Sequence, residues 1–122
     1  MTEKDFLQRT KNFALRVIKL VNALPNNTAG RTIGNQLIRS GTSVAANYRA
    51  ACRGRSKAEF IAKLGTVEEE ADESAFWMEL IIESKLMDEN LVKNLWQESV
   101  EIIKIMASSK ISARENKSQI AN

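Results

Sequence analysis

The sequence predicts an all-α protein, an antiparallel up-down-up-down four-helix bundle, and three observations carry that prediction. Apolar residues recur at steps of three and four through four separate stretches, the spacing of one face of a helix. Five Gly and one Pro in 122 residues leave little material for the turns of an all-β protein. The breaks between the stretches are short, so each helix returns antiparallel beside the one before it. The length suits one domain with a real core, expected as a bundle over residues 1–110 and a frayed or disordered tail over 111–122.

The first helix is expected from about Asp5 to Leu24, with Phe6, Thr10, Phe13, Val17, Val21 and Leu24 on one stripe. Pro25 ends it, because proline disfavours the α conformation in the residue before it and brings no N–H of its own. The second runs from about Thr28, as N-cap, to Arg53, with Ile33, Leu37, Val44, Ala45 and Tyr48 as apolar positions. Its middle, Ser40-Gly41-Thr42-Ser43 followed by Ala45-Ala46, is small and helix-weakening. A glycine costs about 1 kcal/mol against alanine in a helix interior, so a close helix approach or a kink must use the missing side chains. Gly30 and Gly34 fit a close approach equally well.

Ser56-Lys57-Ala58-Glu59 directly follows Gly54 and has the form of a capping box opening the third helix. That helix is expected to reach about Leu86 on a stripe of Phe60, Leu64, Val67, Ala71, Ala75, Met78 and Ile82. Asp88 is the expected N-cap of the fourth helix, whose stripe is Leu91, Leu95, Ile102 and Met106. Further apolar residues lie off the stripes, among them Leu7, Leu15, Leu20, Ile38, Leu80, Ile81, Ile103 and Ile105. A monomer would expose several of these, so a second apolar face points to a homo-oligomer.

Composition excludes several classes of function. Apolar residues at 43% and charged residues at 27% make an ordinary globular mixture, not a disordered chain or a membrane span. There is no His, which removes His-based acid–base chemistry and His-ligated metal sites. One cysteine, Cys52, permits neither an intramolecular disulfide nor a Cys-rich zinc site, and the expected reading is a buried structural thiol. Met1 to Thr10 has no hydrophobic signal core, so a cytoplasmic protein is expected. No catalytic residue, cofactor or metal site is expected, and the chain is read as no enzyme.

The net charge of +3 hides an asymmetry: residues 1–57 carry +9 and residues 58–122 carry −6. The two halves can pair within the fold, pair between subunits, or leave a basic face for nucleic acid. Arg49, Arg53, Arg55 and Lys57, with Arg39 upstream, are the candidate phosphate contacts. Guanidinium groups suit phosphate because their planar fork donates two hydrogen bonds at once. Arg55 and Lys57 also stand at the positive end of the third helix, where an anion would relieve them. The plainer reading is a solvated corner, or ion pairs with the acidic run Glu68-Glu69-Glu70-Ala71-Asp72-Glu73.

That acidic run supports a further alternative. Glu69 with Asp72, Glu70 with Glu73, and Glu98 with Glu101 share helix faces and can be imagined holding Mg²⁺ for nucleotide pyrophosphate hydrolysis. No companion Lys or Asn pattern supports it, and such runs are usually solvated or paired with Arg. Trp77 and Trp96 can stack bases but are expected to pack in the core or at a subunit contact, and Tyr48 is expected in the core.

Gly34-Asn35-Gln36-Leu37, the run Arg39-Ser40-Gly41-Thr42-Ser43-Val44-Ala45-Ala46-Asn47-Tyr48-Arg49, and Arg53-Gly54-Arg55-Ser56-Lys57 resemble the bacterial four-helix bundle family of 23S rRNA intervening sequence proteins. Glu59-Phe60 and Gly65 to Glu73 extend the likeness, which covers about Phe6 to Met106. Val44-Ala45 and Ala51-Cys52 depart from the commoner family pattern and mark a variant subgroup. The resemblance implies a small bundle assembling as a homo-oligomer, a pentameric ring, with no established catalytic activity. Related accessory proteins of diversity-generating retroelements imply RNA, DNA or protein as partners, and the composition leaves no membrane partner expected.

Overall fold

The computed structural model describes residues 1–115, and four helices fill it: α1 (Glu3–Ala23), α2 (Thr28–Cys52), α3 (Lys57–Glu83) and α4 (Lys93–Glu115). Consecutive helices pack against one another in an up-down bundle, α1 on α2, α2 on α3 and α3 on α4. The α1–α4 seam is lighter and carries a two-pronged ion pair, with Arg9 Nε and Nη2 donating to the two Glu98 carboxylate oxygens at 2.7 and 2.8 Å. No helix among the described residues is long and apolar enough to cross a membrane.

Local chemistry sets each helix end. Thr2 and Asp5 form a reciprocal capping box that moves the start of α1 to Glu3, earlier than the apolar spacing implies. The two N–H groups it satisfies would otherwise face only water. Leu24, extended before Pro25, closes the helix as expected. Asn27, not Thr28, caps α2: its side-chain oxygen accepts from the Gly30 N–H at 2.8 Å. A Cβ on Gly30 would sit 1.9 Å from the Pro25 carbonyl oxygen, so the tight α1–α2 turn requires that glycine.

Ser56 caps α3 by accepting from the Glu59 N–H, but the Glu59 carboxylate accepts from the N–H of Arg55 at 3.2 Å, one residue beyond a standard box. The helix stops at Glu83, short of Leu86. There the Leu86 N–H donates to the Ile81 carbonyl and the Lys85 N–H to that of Ile82, with Lys85 left-handed at φ 59°. This is the double bond of a Schellman stop, with lysine where glycine is usual.

Asp88 caps a short 3₁₀ turn over Glu89–Leu91 and not α4 itself, which begins at Lys93. Val92 is buried in place of the expected Leu91, which is 68% exposed. At the far end α4 continues through residues 111–115, where Ala113 is still buried against the bundle. The remainder of the expected tail, 116–122, lies outside the described residues.

The core follows the helical stripes. Phe6, Thr10, Phe13 and Val17 of α1 meet Leu37, Val44 and Tyr48 of α2, while Leu64, Val67, Met78, Ile102 and Met106 fill the α3–α4 side. On α3 the buried position is Ile81 and not Ile82, which with Phe60 is half-buried. Gly41 realises the expected close approach: a Cβ there would lie 2.7 to 3.0 Å from three side-chain atoms of Val17. Beside it, the hydroxyl of Ser74 donates to that of Ser40 at 2.9 Å across the buried α2–α3 contact. Gly41 thus serves a close approach of α1 and α2.

Candidate functional site

The basic residues singled out in the sequence separate into distinct environments. Arg39, on the outer face of α2, donates to Glu70 at 3.2 Å and also to Glu73 of α3. It joins two helices of its own chain. Arg55 is exposed in the α2–α3 turn. Lys57, in the first turn of α3, is half-buried, and its Nζ is shielded from solvent without a hydrogen-bond partner. A side-chain nitrogen withdrawn in this way donates to an external phosphate only if its side chain rotates.

Arg49 and Arg53 do come together. They lie four residues apart near the C-terminal end of α2, on one face, and both side chains line a cleft of about 440 Å³ between α1 and α2. The opposite wall belongs to α1, where Lys4, Leu7, Gln8 and Lys11 fall on one stripe at spacings of three, four and seven. Ala45, Ala46 and Cys52 complete the α2 side. Four cations therefore face one concavity, no carboxylate lines it, and none of the four forms an ion pair among the described residues.

Lys4 and Lys11 are the residues that sequence reasoning missed. Their seven-residue spacing, two helical turns, was the available signal. It points to a functional site only once α1 is known to lie against the C-terminal half of α2.

The packing next to the cleft holds the two walls together. Phe6 and Tyr48 meet edge to face with ring centroids 4.7 Å apart, joining α1 to α2 at this end of the bundle. Burial pushes the Tyr48 hydroxyl well above its ordinary range, and the neighbouring Cys52 adds to the rise. Cys52 is half-buried, not fully buried as expected, because it borders the cleft. Burial also raises its thiol, helped by the charge of Glu3, so Cys52 is a neutral thiol at pH 7.

The acidic run is dispersed among different partners. Glu68 pairs with Lys110 at 2.5 Å, Glu70 and Glu73 hold Arg39, and Glu98 holds Arg9. Glu69 and Asp72 are exposed. The described residues contain no group of three or more side chains placed to hold a metal ion. Trp77 and Trp96 are half-buried, and their indole N–H groups donate to Glu73 at 3.3 Å and Glu79 at 2.9 Å. Neither lines the basic cleft.

Comparison with known proteins agrees with this architecture. No curated protein matches the chain. A crystal structure of a protein of unknown function from the S23 ribosomal protein family of Bacteroides thetaiotaomicron VPI-5482 superposes with a TM-score of 0.83. It is 32% identical, and the match covers 90% of this chain and 98% of that one. The family model described as 23S rRNA-intervening sequence protein matches residues 2–108. A four-helix bundle matched over nearly its whole length belongs to that family: the chain is a member of the 23S rRNA-intervening sequence proteins.

Proposed function

We propose that this bundle is a non-enzymatic, homo-oligomeric accessory protein that binds nucleic acid through phosphate contacts in the α1–α2 cleft. One observation carries the reading: Lys4, Lys11, Arg49 and Arg53 line a single concavity whose lining contains no carboxylate, Glu3 beside Cys52 being the acidic group at its edge. Elsewhere in the bundle Arg39 and Lys110 meet the acidic face of α3 and Arg9 meets α4. Four like charges gathered around one acidic group are unfavourable by themselves, and a bound polyanion relieves them. Contacts of this kind position a phosphate backbone and read no sequence.

Fluorescence anisotropy of labelled RNA and DNA over a salt series tests the reading. Four neutralised phosphates give a log–log salt slope of about −3 to −4, and Arg49→Glu with Arg53→Glu flattens it and weakens binding about tenfold or more. Arg39→Ala, which removes a cation already paired with Glu70 and Glu73, leaves affinity within about twofold. Absence of binding at low salt overturns the reading and turns the search to protein partners.

A further inference from the structure

The cleft has a floor as well as charged walls, and the floor bears on what enters it. Between the cations lie Leu7, Ala45, Ala46 and Cys52, all apolar. Alanine at two consecutive α2 positions leaves the space open, and Ala46 is exposed to solvent. Gln8, on the same stripe as the two lysines, donates one amide hydrogen to Asn12 at 2.9 Å. Its other N–H and its remaining acceptor capacity stay available.

The cations are spaced along both walls. Lys4 and Lys11 are separated by roughly 10 Å along α1, and Arg49 and Arg53 by roughly 6 Å along α2, at the helical rise per residue. An apolar floor offers nothing to a hydrated phosphate. A duplex keeps its base faces stacked and its edges paired, so it would bridge the rims of this cleft and leave the floor wet. An unpaired nucleotide presents a base face, a free base edge and a flanking phosphate on each side. Those are the three chemistries that the floor, Gln8 and the cationic walls match. A volume of about 440 Å³ also lies within the range of small-ligand pockets.

We infer that the α1–α2 cleft receives one unpaired nucleotide of a single-stranded or looped segment. The base lies on the Leu7–Ala45–Ala46 floor and the adjoining phosphates lie between the lysine and arginine walls. This inference rests on the nucleic-acid reading above and narrows it from phosphate binding to a class of strand.

The test uses the full chain with a fluorescein-labelled 12-nucleotide RNA lacking self-complementarity, alone and annealed to its complement. At equal salt the single strand should bind about tenfold more tightly than the duplex, the size expected of one added apolar contact. Ala46→Leu fills the floor from an exposed position without altering charge or disturbing the core. It should weaken single-strand binding about fivefold while duplex binding changes less than about twofold. Cys52 is the only cysteine in the chain, so its alkylation by a maleimide can be followed by intact mass. Saturating single strand should slow it more than duplex at equal phosphate does, and equal slowing by the two counts against an inserted base.

Equal affinity for the two strands, with Ala46→Leu silent, overturns the inference and leaves phosphate binding in place. Competition by poly-glutamate as effective as that by the single strand also overturns it, since the base would then contribute nothing. If neither strand binds, both readings fall together. If Arg49→Glu with Arg53→Glu weakens both strands while Ala46→Leu weakens only one, both stand.

Discussion

Gly41 and Gly65 are both glycines inside long helices, and the same substitution at each should have opposite effects. At Gly41 a methyl group would enter the space of Val17, whose Cβ and both methyls would lie within 3.0 Å. Val17 is fully buried and branched at Cβ, so it has no alternative rotamer into which to retreat. Gly41→Ala should therefore lower stability by about 1–3 kcal/mol despite alanine's better helix propensity. Nothing lies within 4 Å of a Cβ at Gly65, so Gly65→Ala should raise stability by up to about 1 kcal/mol. Chemical denaturation of the two variants checks both signs. Adding Val17→Ala to Gly41→Ala should recover part of the loss, a coupling that two independent sites would not show. The sequence disclosed that small residues in α2 needed a use, and Gly41 was one of the residues in question. It could not separate Gly41 from Gly65, because both sit in helical patterns and differ only in what the neighbouring helix brings near.

Helices were legible wherever a stripe was long and illegible where two local devices competed for the same chain. Pro25 and Ser56 announced boundaries through their own chemistry, and the structure uses both. The end of α3 carries no such sign, since Leu86 and Met87 prolong the apolar spacing past the true stop. The chain turns at Lys85, left-handed at φ 59°, with both Schellman hydrogen bonds in place. A side chain with a Cβ costs roughly 1 kcal/mol in that conformation, whereas glycine adopts it freely. Lys85→Gly should therefore stabilise the protein by about 0.5–1 kcal/mol, seen as a rise of a few degrees in Tm. A neutral or negative result would mean that the greater freedom of glycine in the unfolded chain offsets the relief of strain. Asp88 misled for a related reason: it does cap, but the turn it caps is 3₁₀, and Val92 takes the buried place that the spacing assigns to Leu91. The cleft was half legible on the same grounds. Arg49 and Arg53 stood out as part of a basic cluster, while Lys4 and Lys11 carry no sign of a shared site until α2 is set beside them.

For the whole molecule the open matter is what covers the apolar surface that remains once the bundle is folded. Of the residues beyond the expected stripes, Leu20 and Ile81 are taken into the core, while Leu7, Ile38, Leu80, Ile103 and Ile105 are half-buried. Leu15 stays 56% exposed on α1 and Phe76 50% exposed on α3. Phe76 is not an isolated side chain: it meets Trp77 edge to face at 5.1 Å, and Trp77 in turn donates to Glu73. An aromatic pair held in place at the surface, with its polar N–H already satisfied, loses little conformational freedom when a second subunit covers it. The proposed homo-oligomer thus predicts that Phe76→Glu weakens assembly without unfolding the chain, because its side chain contributes little to the core. Sedimentation velocity at micromolar concentration should find the wild type well above the 13.7 kDa of one chain. Phe76→Glu should shift it toward the monomer, with an unchanged helical circular dichroism spectrum. Leu15→Glu, on a different helix, locates the contact: a shift in Phe76→Glu alone places it on the α3 face, and a shift in both places it on two surfaces of each subunit. The second outcome is the geometry of a ring, in which unlike patches of successive copies meet and rotation closes the assembly. A wild type that sediments at 13.7 kDa removes the oligomer, and the α1–α2 cleft of each chain must then act without a neighbouring copy.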